Sequence, residues 1–305
     1  MIKRVVYCGS RSHLKVRNRQ LVIVNRESDE ESSIPVEDIG FLELDNSQIT
    51  LSVAALQCLL ANNVAVSIGD TSHQPLGLAL AFYSNSIHTK RVNVQACVTA
   101  QAKKRIWRQI VCGKILNQIS LLASLGRDSK PLPHLLGKVK SGDPDNIEAV
   151  SSRYYWQKLF QNRKFKRERF GSYPNNLLNY GYAVLRSIVA RGLVSTGLHP
   201  ALGIHHHNKY NPYCLADDLM EPFRPFVDAR IMDIYDDDEE EVVLERDVKR
   251  SILDFLFADV TLDGQIHPLW NAVRITCVSL FRCMENRMAK LELPRFVLDE
   301  KHLQK

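Results

Sequence analysis

Residues 94–125 read VQACVTAQAKKRIWRQIVCGKILNQISLLASL, and here the character of the chain changes. Apolar residues recur at three- and four-residue intervals, the 3.6-residue period of a helix with a buried face. Upstream the pattern differs. VVYCG (residues 5–9), HLKVRN (13–18), QLVIVN (20–25), DIGFLELD (38–45) and VAVSIGD (64–70) are short runs rich in β-branched and aromatic residues. Gly, Asn, Ser and Asp separate them, so they read as strands joined by turns. One helix interrupts them, SVAALQCLLAN at Ser52–Asn62. Downstream the helical period returns at Ile147–Phe160, Leu177–Gly192, Val248–Phe257 and Leu269–Lys290. The expected fold class is α+β. A small N-terminal β-rich domain (residues 1–82) leads through a linker (83–93) to a larger all-α C-terminal domain (94–305).

A length of 305 residues suits two domains, and an apolar fraction of 45% is enough to bury their cores. No stretch reaches the ~18 apolar residues of a membrane span. The start, MIKRVVYCGSRSH, lacks the long apolar core of a signal peptide. Seven cysteines occur with no C-x-x-C pair. That usage argues against a disulfide framework or a cysteine zinc site and fits a reducing cytoplasm.

The net charge is +6 and unevenly spread. Lys103, Lys104, Arg105 and Arg108 form one basic cluster. Arg163, Lys164, Lys166, Arg167 and Arg169 form another, with Phe165 and Phe170 interleaved. Such clusters suit a phosphate backbone, and also suit a solvated helix face. Residues 127–146, rich in Pro, Gly and charge, and the acidic run Asp236–Glu241 read as exposed loops.

Three places could carry chemistry. Glu148 lies at the start of a helix, three residues after Asp145, a spacing that also makes a capping box. His205, His206 and His207 are adjacent, so a regular element cannot aim all three at one ion. Asp218 and Glu221 are three apart, on one face of a helical turn, where acids also serve as caps. Taken together, carboxylates plus one imidazole favour Mg²⁺ or Mn²⁺ over zinc. Such an ion activates water or a 3′-hydroxyl and polarises a phosphodiester. With the basic clusters, the expected reaction is phosphoryl transfer on nucleic acid. The alternative is a non-catalytic nucleic-acid-binding scaffold in which the acids act as caps.

Four blocks then carry a family resemblance: Asn146-Ile-Glu-Ala-Val-Ser-Ser-Arg-Tyr-Tyr-Trp156, Asn175-Asn-Leu-Leu-Asn-Tyr-Gly-Tyr182, Gly197-Leu-His-Pro-Ala-Leu-Gly203 and Leu215-Ala-Asp-Asp-Leu-Met-Glu-Pro-Phe-Arg-Pro225. In this order they resemble the CRISPR-associated Cas1 integrases, and GFLELDNSQITLS (residues 40–52) extends the likeness into the β-rich start. The spacing Gly203-x-x-His206-x-Asn208-x-x-Asn211 is most similar to the branch of type II systems. The resemblance implies an enzyme, a DNA endonuclease and integrase of CRISPR adaptation. It would insert short duplexes into a CRISPR array by attack of 3′-hydroxyls at the repeat boundaries. It implies catalytic Glu148, His206 and Glu221, and Mg²⁺ or Mn²⁺ held by these three with Asp218. A one-position slip would move the imidazole role to His205. Lys103, Lys104, Arg105, Arg108, Arg163, Lys164, Lys166 and Arg167 become the phosphate-contact candidates. Implied partners are duplex DNA and a second copy of the chain. The small Cas2 protein completes a heterohexamer, and the RNA-guided effector nuclease of a type II system is a further partner.

Overall fold

The computed structural model describes residues 3–70, 75–82, 84–161, 165–168, 171–235, 241–286 and 289–297. The chain begins with β1 (Arg4–Cys8), β2 (Ser12–Arg17), β3 (Gln20–Asn25), β4 (Glu31–Pro35), β5 (Ile39–Leu44), β6 (Thr50–Leu51), α1 (Val53–Ala61), β7 (Ala65–Gly69) and β8 (Pro75–Ala79). Two four-stranded sheets result. One has the order β1-β5-β7-β8, with β1, β5 and β7 parallel and β8 antiparallel. The other has the order β4-β3-β2-β6, an antiparallel meander with β6 parallel to β2. The five expected strands are all present, and so is the expected helix, with Ser52 as N-cap accepting from the Ala55 N–H at 3.2 Å.

β5 is buried along its whole length, as a strand covered on both faces must be. Successive side chains point to opposite faces of a sheet. Leu42 and Leu44 face the core between the two sheets with Leu14, Leu21 and Leu59. Phe41, with Ala65 of β7, faces the other way and joins the main helical core. The first sheet is therefore sandwiched between the second sheet and the helices.

The rest of the described chain runs α2 (His88–Ala96), α3 (Ala100–Ser124), α4 (Pro131–Lys138), α5 (Ile147–Leu159), α6 (Asn175–Thr196), α7 (Cys214–Met220), α8 (Arg224–Met232), α9 (Arg246–Leu253), β9 (Asp259–Leu262), β10 (Gln265–Pro268), α10 (Leu269–Glu285) and β11 (Arg295–Phe296). α3 is the hub, packed against α4, α5, α8, α10 and β11. The expected class holds: a β-rich start and a larger helical remainder. The remainder is not all-α, however. β10, β9 and β11 form a three-stranded antiparallel sheet. These strands of two to four residues are too short to show a period in sequence. Their signal is Asp263-Gly264, both at positive φ, the residue pair of a tight hairpin turn.

Two further expectations are amended. The helical run from Val94 is broken at Thr99, whose hydroxyl accepts from the Ala102 N–H at 3.4 Å and starts a new helix. Within the expected linker, α2 already begins at His88. Ser84, Asn85 and Arg91 donate to the carbonyls of Val194, Ser195 and Thr196. Those are C-terminal carbonyls of α6 that have no partner inside their own helix. The segment is thereby strapped to the helical core.

Candidate active site

Capping decides where Glu148 points. Asp145 is not the cap of α5; it pairs with Lys140 at 2.8 Å on the surface. Asp143 caps instead, each oxygen accepting at 2.9 Å, from the N–H groups of Ile147 and Glu148. The Glu148 side chain is free of that duty and meets the ammonium of Lys114 on α3. Ser152, one turn on, donates to the same Glu148 oxygen at 3.0 Å.

Glu221 reaches the same ammonium from the other side. α7 does not stop at Met220 but tightens into a 3-10 turn, Glu221–Phe223, and runs on as α8. Pro222 is accommodated at the start of that new turn, where its missing N–H is not needed. Glu221 Oε2 lies 2.6 Å from Lys114 Nζ, and Glu221 Oε1 lies 2.9 Å from Arg224 Nε. Glu221 is thus shared between two cations, Lys114 and Arg224. Burial alone would raise the Glu221 carboxyl pKa; the charges of Arg224 and Lys114 outweigh it and hold the pKa below the ordinary value. Burial likewise opposes the charge on Lys114, and Glu221 and Glu148 reverse that.

A cavity of about 230 Å³ opens beside these groups. Its walls include Lys114, Glu148, Tyr155, Trp156, Arg167, Tyr182, Glu221, Arg224 and Asp228. Asp228 accepts from Tyr155 at 2.7 Å and from Tyr182, and burial pushes its carboxyl up to about 6. The Arg224 and Arg167 guanidiniums lie over the Tyr182 ring, 4.6 and 5.3 Å from its centre. Tyr180 and Tyr182 are buried, as core residues should be.

The histidine loop is held from below by Asp218, which is fully buried. Its Oδ2 accepts from the N–H groups of Ile204 at 2.6 Å and His205 at 2.9 Å. Its Oδ1 meets the His206 N–H at 3.1 Å and the His206 ring Nδ1 at 2.6 Å. Four donors fill a carboxylate's acceptor capacity. Asp218 is thus engaged as the orienter of His206 rather than aimed outward as a ligand. A carboxylate only accepts, so Nδ1 carries the hydrogen, leaving Nε2 with the lone pair of the neutral ring. That same bond to Asp218 raises the His206 pKa. His205 is occupied differently: its ring stacks on Trp107 of α3, centroids 4.1 Å apart and planes 2° from parallel, and burial lowers its pKa. Gly203 is required here, because a Cβ would sit 2.2 Å from the His206 carbonyl oxygen. Asn211 braces the loop by donating to Asp217 at 2.6 Å.

The structure therefore brings the four expected residues together in two pairs: Glu148 with Glu221 around Lys114, and His206 with Asp218. Among the described residues, no three His, Cys, Asp or Glu side chains converge tightly enough to hold one ion as they stand. Lys114 separates the glutamates, and Asp218 faces its own loop. The donor set nonetheless suits a hard divalent cation: two carboxylates already gathered around a positive charge, and an imidazole fixed with Nε2 available.

Of the basic candidates, Lys104, Arg105 and Arg108 are exposed on α3. Lys103 donates to the Gly203 carbonyl at 3.2 Å and so props the histidine loop. Lys166 is exposed beside Glu168, while Arg167 turns inward to Asn175 and Asn179. Arg163 and Lys164, and residues 236–240 of the acidic run, lie outside the described residues. Sequence reasoning missed Lys114, Trp107 and Asp228. Lys114 had a signal: a lone charge inside the apolar run Ile110–Ile119.

Residues 6–241 match the family model of the CRISPR associated protein Cas1. The chain is 33% identical over 287 residues to the CRISPR-associated endonuclease Cas1 of Neisseria meningitidis serogroup C, covering 93% of each chain. A second relative, a CRISPR-associated endonuclease Cas1 of Pyrobaculum aerophilum, is 26% identical over 78% of this chain and 84% of its own. Among solved structures, a casposase bound to its integration product superposes with a TM-score of 0.78 at 20% identity, covering 95% of this chain and 92% of that one. A Cas1 protein from Thermotoga maritima gives 0.75 at 17% identity, with 97% and 100% covered. A Cas6-RT-Cas1–Cas2 complex gives 0.74 at 22% identity over 93% of this chain and 35% of that chain. At these identities the structural likeness speaks for the fold.

Proposed function

The chain belongs to the CRISPR-associated Cas1 family, and from that premise we propose that it is a metal-dependent DNA integrase and endonuclease of CRISPR adaptation. The observation that carries the reading is the gathering of Glu148 and Glu221 on one buried cation, next to a loop in which Asp218 fixes the His206 ring. Glu148, Glu221 and Nε2 of His206 would hold Mg²⁺ or Mn²⁺, with Asp218 acting through His206. Bound there, the ion would supply Lewis-acid stabilisation of charge on the phosphoryl oxygens and on the leaving 3′-oxygen.

The chain's own residues do the rest. Arg224 and Arg167 present fixed guanidiniums at the cavity wall, suited to phosphate oxygens. Asp218 keeps Nε2 in its tautomer and direction. Lys104, Arg105 and Arg108 offer an exposed cationic stripe along α3 for the duplex backbone. The reaction is transesterification: a 3′-hydroxyl of the incoming duplex attacks a repeat-boundary phosphodiester, one P–O bond forms, and one breaks. No covalent enzyme intermediate is required.

The same reading includes its partners: duplex DNA, a homodimer, the Cas2 protein in a heterohexamer, and the effector nuclease of a type II system. It places the chain in the cytoplasm, consistent with free thiols throughout and with no described helix long and apolar enough to cross a membrane.

The test is strand joining of a labelled duplex with 3′-hydroxyl ends into a plasmid carrying a repeat, with Cas2 present and Mn²⁺ set against EDTA. Joining should require metal and vanish in Glu148→Ala, His206→Ala and Glu221→Gln. Joining that survives in Glu148→Ala removes the site assignment. Duplex binding without any joining by the wild type favours the non-catalytic scaffold.

A further inference from the structure

Lys114 is out of place for a bystander. Its side chain is nearly buried, mid-helix in α3, and its ammonium contacts both Glu148 and Glu221. With Arg224 against Glu221, two positive charges balance two negative ones. Two carboxylates this close repel each other unless a cation lies between them. In the observed structure Lys114 is that cation.

We propose that Lys114 is a resident counter-cation that keeps the acid pair assembled and charge-balanced, and that it hands the pair to a divalent metal when a DNA phosphate draws its ammonium away. The inference rests on the metal-binding reading above.

Three observations support an exchange rather than a fixed tripod. First, Lys114 is tied at its ammonium, on a flexible stem of four carbons. Arg224 is anchored differently, with its planar guanidinium laid over Tyr182. Second, the Lys114 ammonium is shared between carboxylates on two different elements, Glu148 of α5 and Glu221 of the turn after α7, so it is committed to neither alone. Third, the cavity of about 230 Å³ lies directly beside the ammonium, and its walls already carry Arg167 and Arg224. A phosphate entering there meets two guanidiniums and lies within reach of a third cation. Once Lys114 turns to the phosphate, the glutamates are left as an uncompensated dianion, the condition under which a divalent cation binds them best. Metal and DNA then favour each other's binding, and the coupling must be reciprocal.

Mn²⁺ binding to the full chain, followed by electron paramagnetic resonance of the free ion, tests this without any turnover. Lys114→Met keeps the stem and removes the charge. It should bind Mn²⁺ on the order of ten-fold more tightly than the wild type in the absence of DNA. A short 3′-hydroxyl duplex should tighten the wild-type site several-fold and the Lys114→Met site much less, with Glu148→Gln as the blank for Mn²⁺ on the DNA itself. Lys114→Arg, which keeps the charge and guards against a folding defect, should stay as weak as the wild type. Mn²⁺ affinity unchanged or weakened in Lys114→Met, with wild-type binding still lost in Glu148→Gln, overturns the exchange and leaves the metal site standing. Wild-type binding that persists in Glu148→Gln and in Glu221→Gln overturns both.

Discussion

Asp218 is where a single residue controls the site. It accepts three backbone N–H groups and the His206 ring while fully buried. In Asp218→Asn the amide has only one acceptor oxygen, so at least one loop N–H loses its partner, which costs about 1–3 kcal/mol. A second effect has a definite sign. The His206 pKa is raised because Asp218 favours the protonated ring. A metal must displace that proton, so Mn²⁺ binding should weaken as pH falls through the raised value. Without the carboxylate the weakening should begin at lower pH. Mn²⁺ affinity titrated from pH 8 to 5 checks this, and an acid limb that does not move in Asp218→Asn rules out the orienting role. The residue scale also separates the two glutamates. Glu148 is capped around and partly exposed, so Glu148→Ala should fold. Glu221 neutralises both Lys114 and Arg224, and truncating it would strand buried charges at a cost of about 3–5 kcal/mol. Gln also removes the charge but keeps the volume and an acceptor oxygen against the two cations, so it is the milder probe there.

At the scale of elements, the site is set by how segments end. α5 is capped by Asp143 three residues before Asn146, and this frees Glu148. The loop between α6 and α7 turns at Gly203 against the His206 carbonyl and the Cys214 side chain. Gly203→Ala places a Cβ 2.2 Å from that carbonyl oxygen, so the loop must shift. A displacement on the order of 1 Å typically costs about a hundred-fold in rate. Strand joining should fall at least that far, while far-UV circular dichroism stays at the wild-type helix content. Joining within a few-fold of wild type would show that the loop need not be rigid.

At the scale of the whole molecule, β5 and α9 are clasped by a buried polar cluster. Lys249 of α9 contacts Asp45, which also accepts from Tyr7. Glu43 is fully buried beside them. Burial pushes its carboxyl up from 4.5 to about 7; Asp45 adds to the rise, while Ser67 and Lys249 oppose it. The folded state therefore holds a proton that the unfolded chain has lost. The contribution of Glu43 to stability should be fully present below the unfolded value of 4.5, fall as pH rises towards about 7, and level off above it. The full interval corresponds to at most on the order of 3 kcal/mol. The melting temperature of Glu43→Gln relative to the wild type should rise across this window, and it should stand above that of the wild type at pH 8. Parallel curves for the two proteins would sink this account. The exposed stripe on α3 acts at the same scale. Reversing Lys104 and Arg105 to Glu should weaken duplex binding and flatten its dependence on log salt by roughly one per lost phosphate contact. An unchanged slope would move the DNA path elsewhere.

The sequence by itself determined what local periodicity and composition can carry. Five strands, the Ser52-capped helix and the long helices were legible because each repeats every 2 or 3.6 residues. Family membership was legible because charge and imidazole in ordered blocks resemble a family, and the same blocks put forward Glu148, His206, Asp218 and Glu221 as candidates. The three-stranded sheet of β9, β10 and β11 was not, because such short strands have no period and β11 closes the sheet from far along the chain. Which histidine pairs with Asp218, and which stacks on Trp107, depends on α3 passing beneath a loop about 100 residues away in sequence. Lys114, Glu148 and Glu221 meet because α3, α5 and the turn after α7 pack around one core, and Lys114 is separated from its partners by 34 residues and more. Side-chain partners across such distances are fixed by packing and burial, which no local pattern encodes.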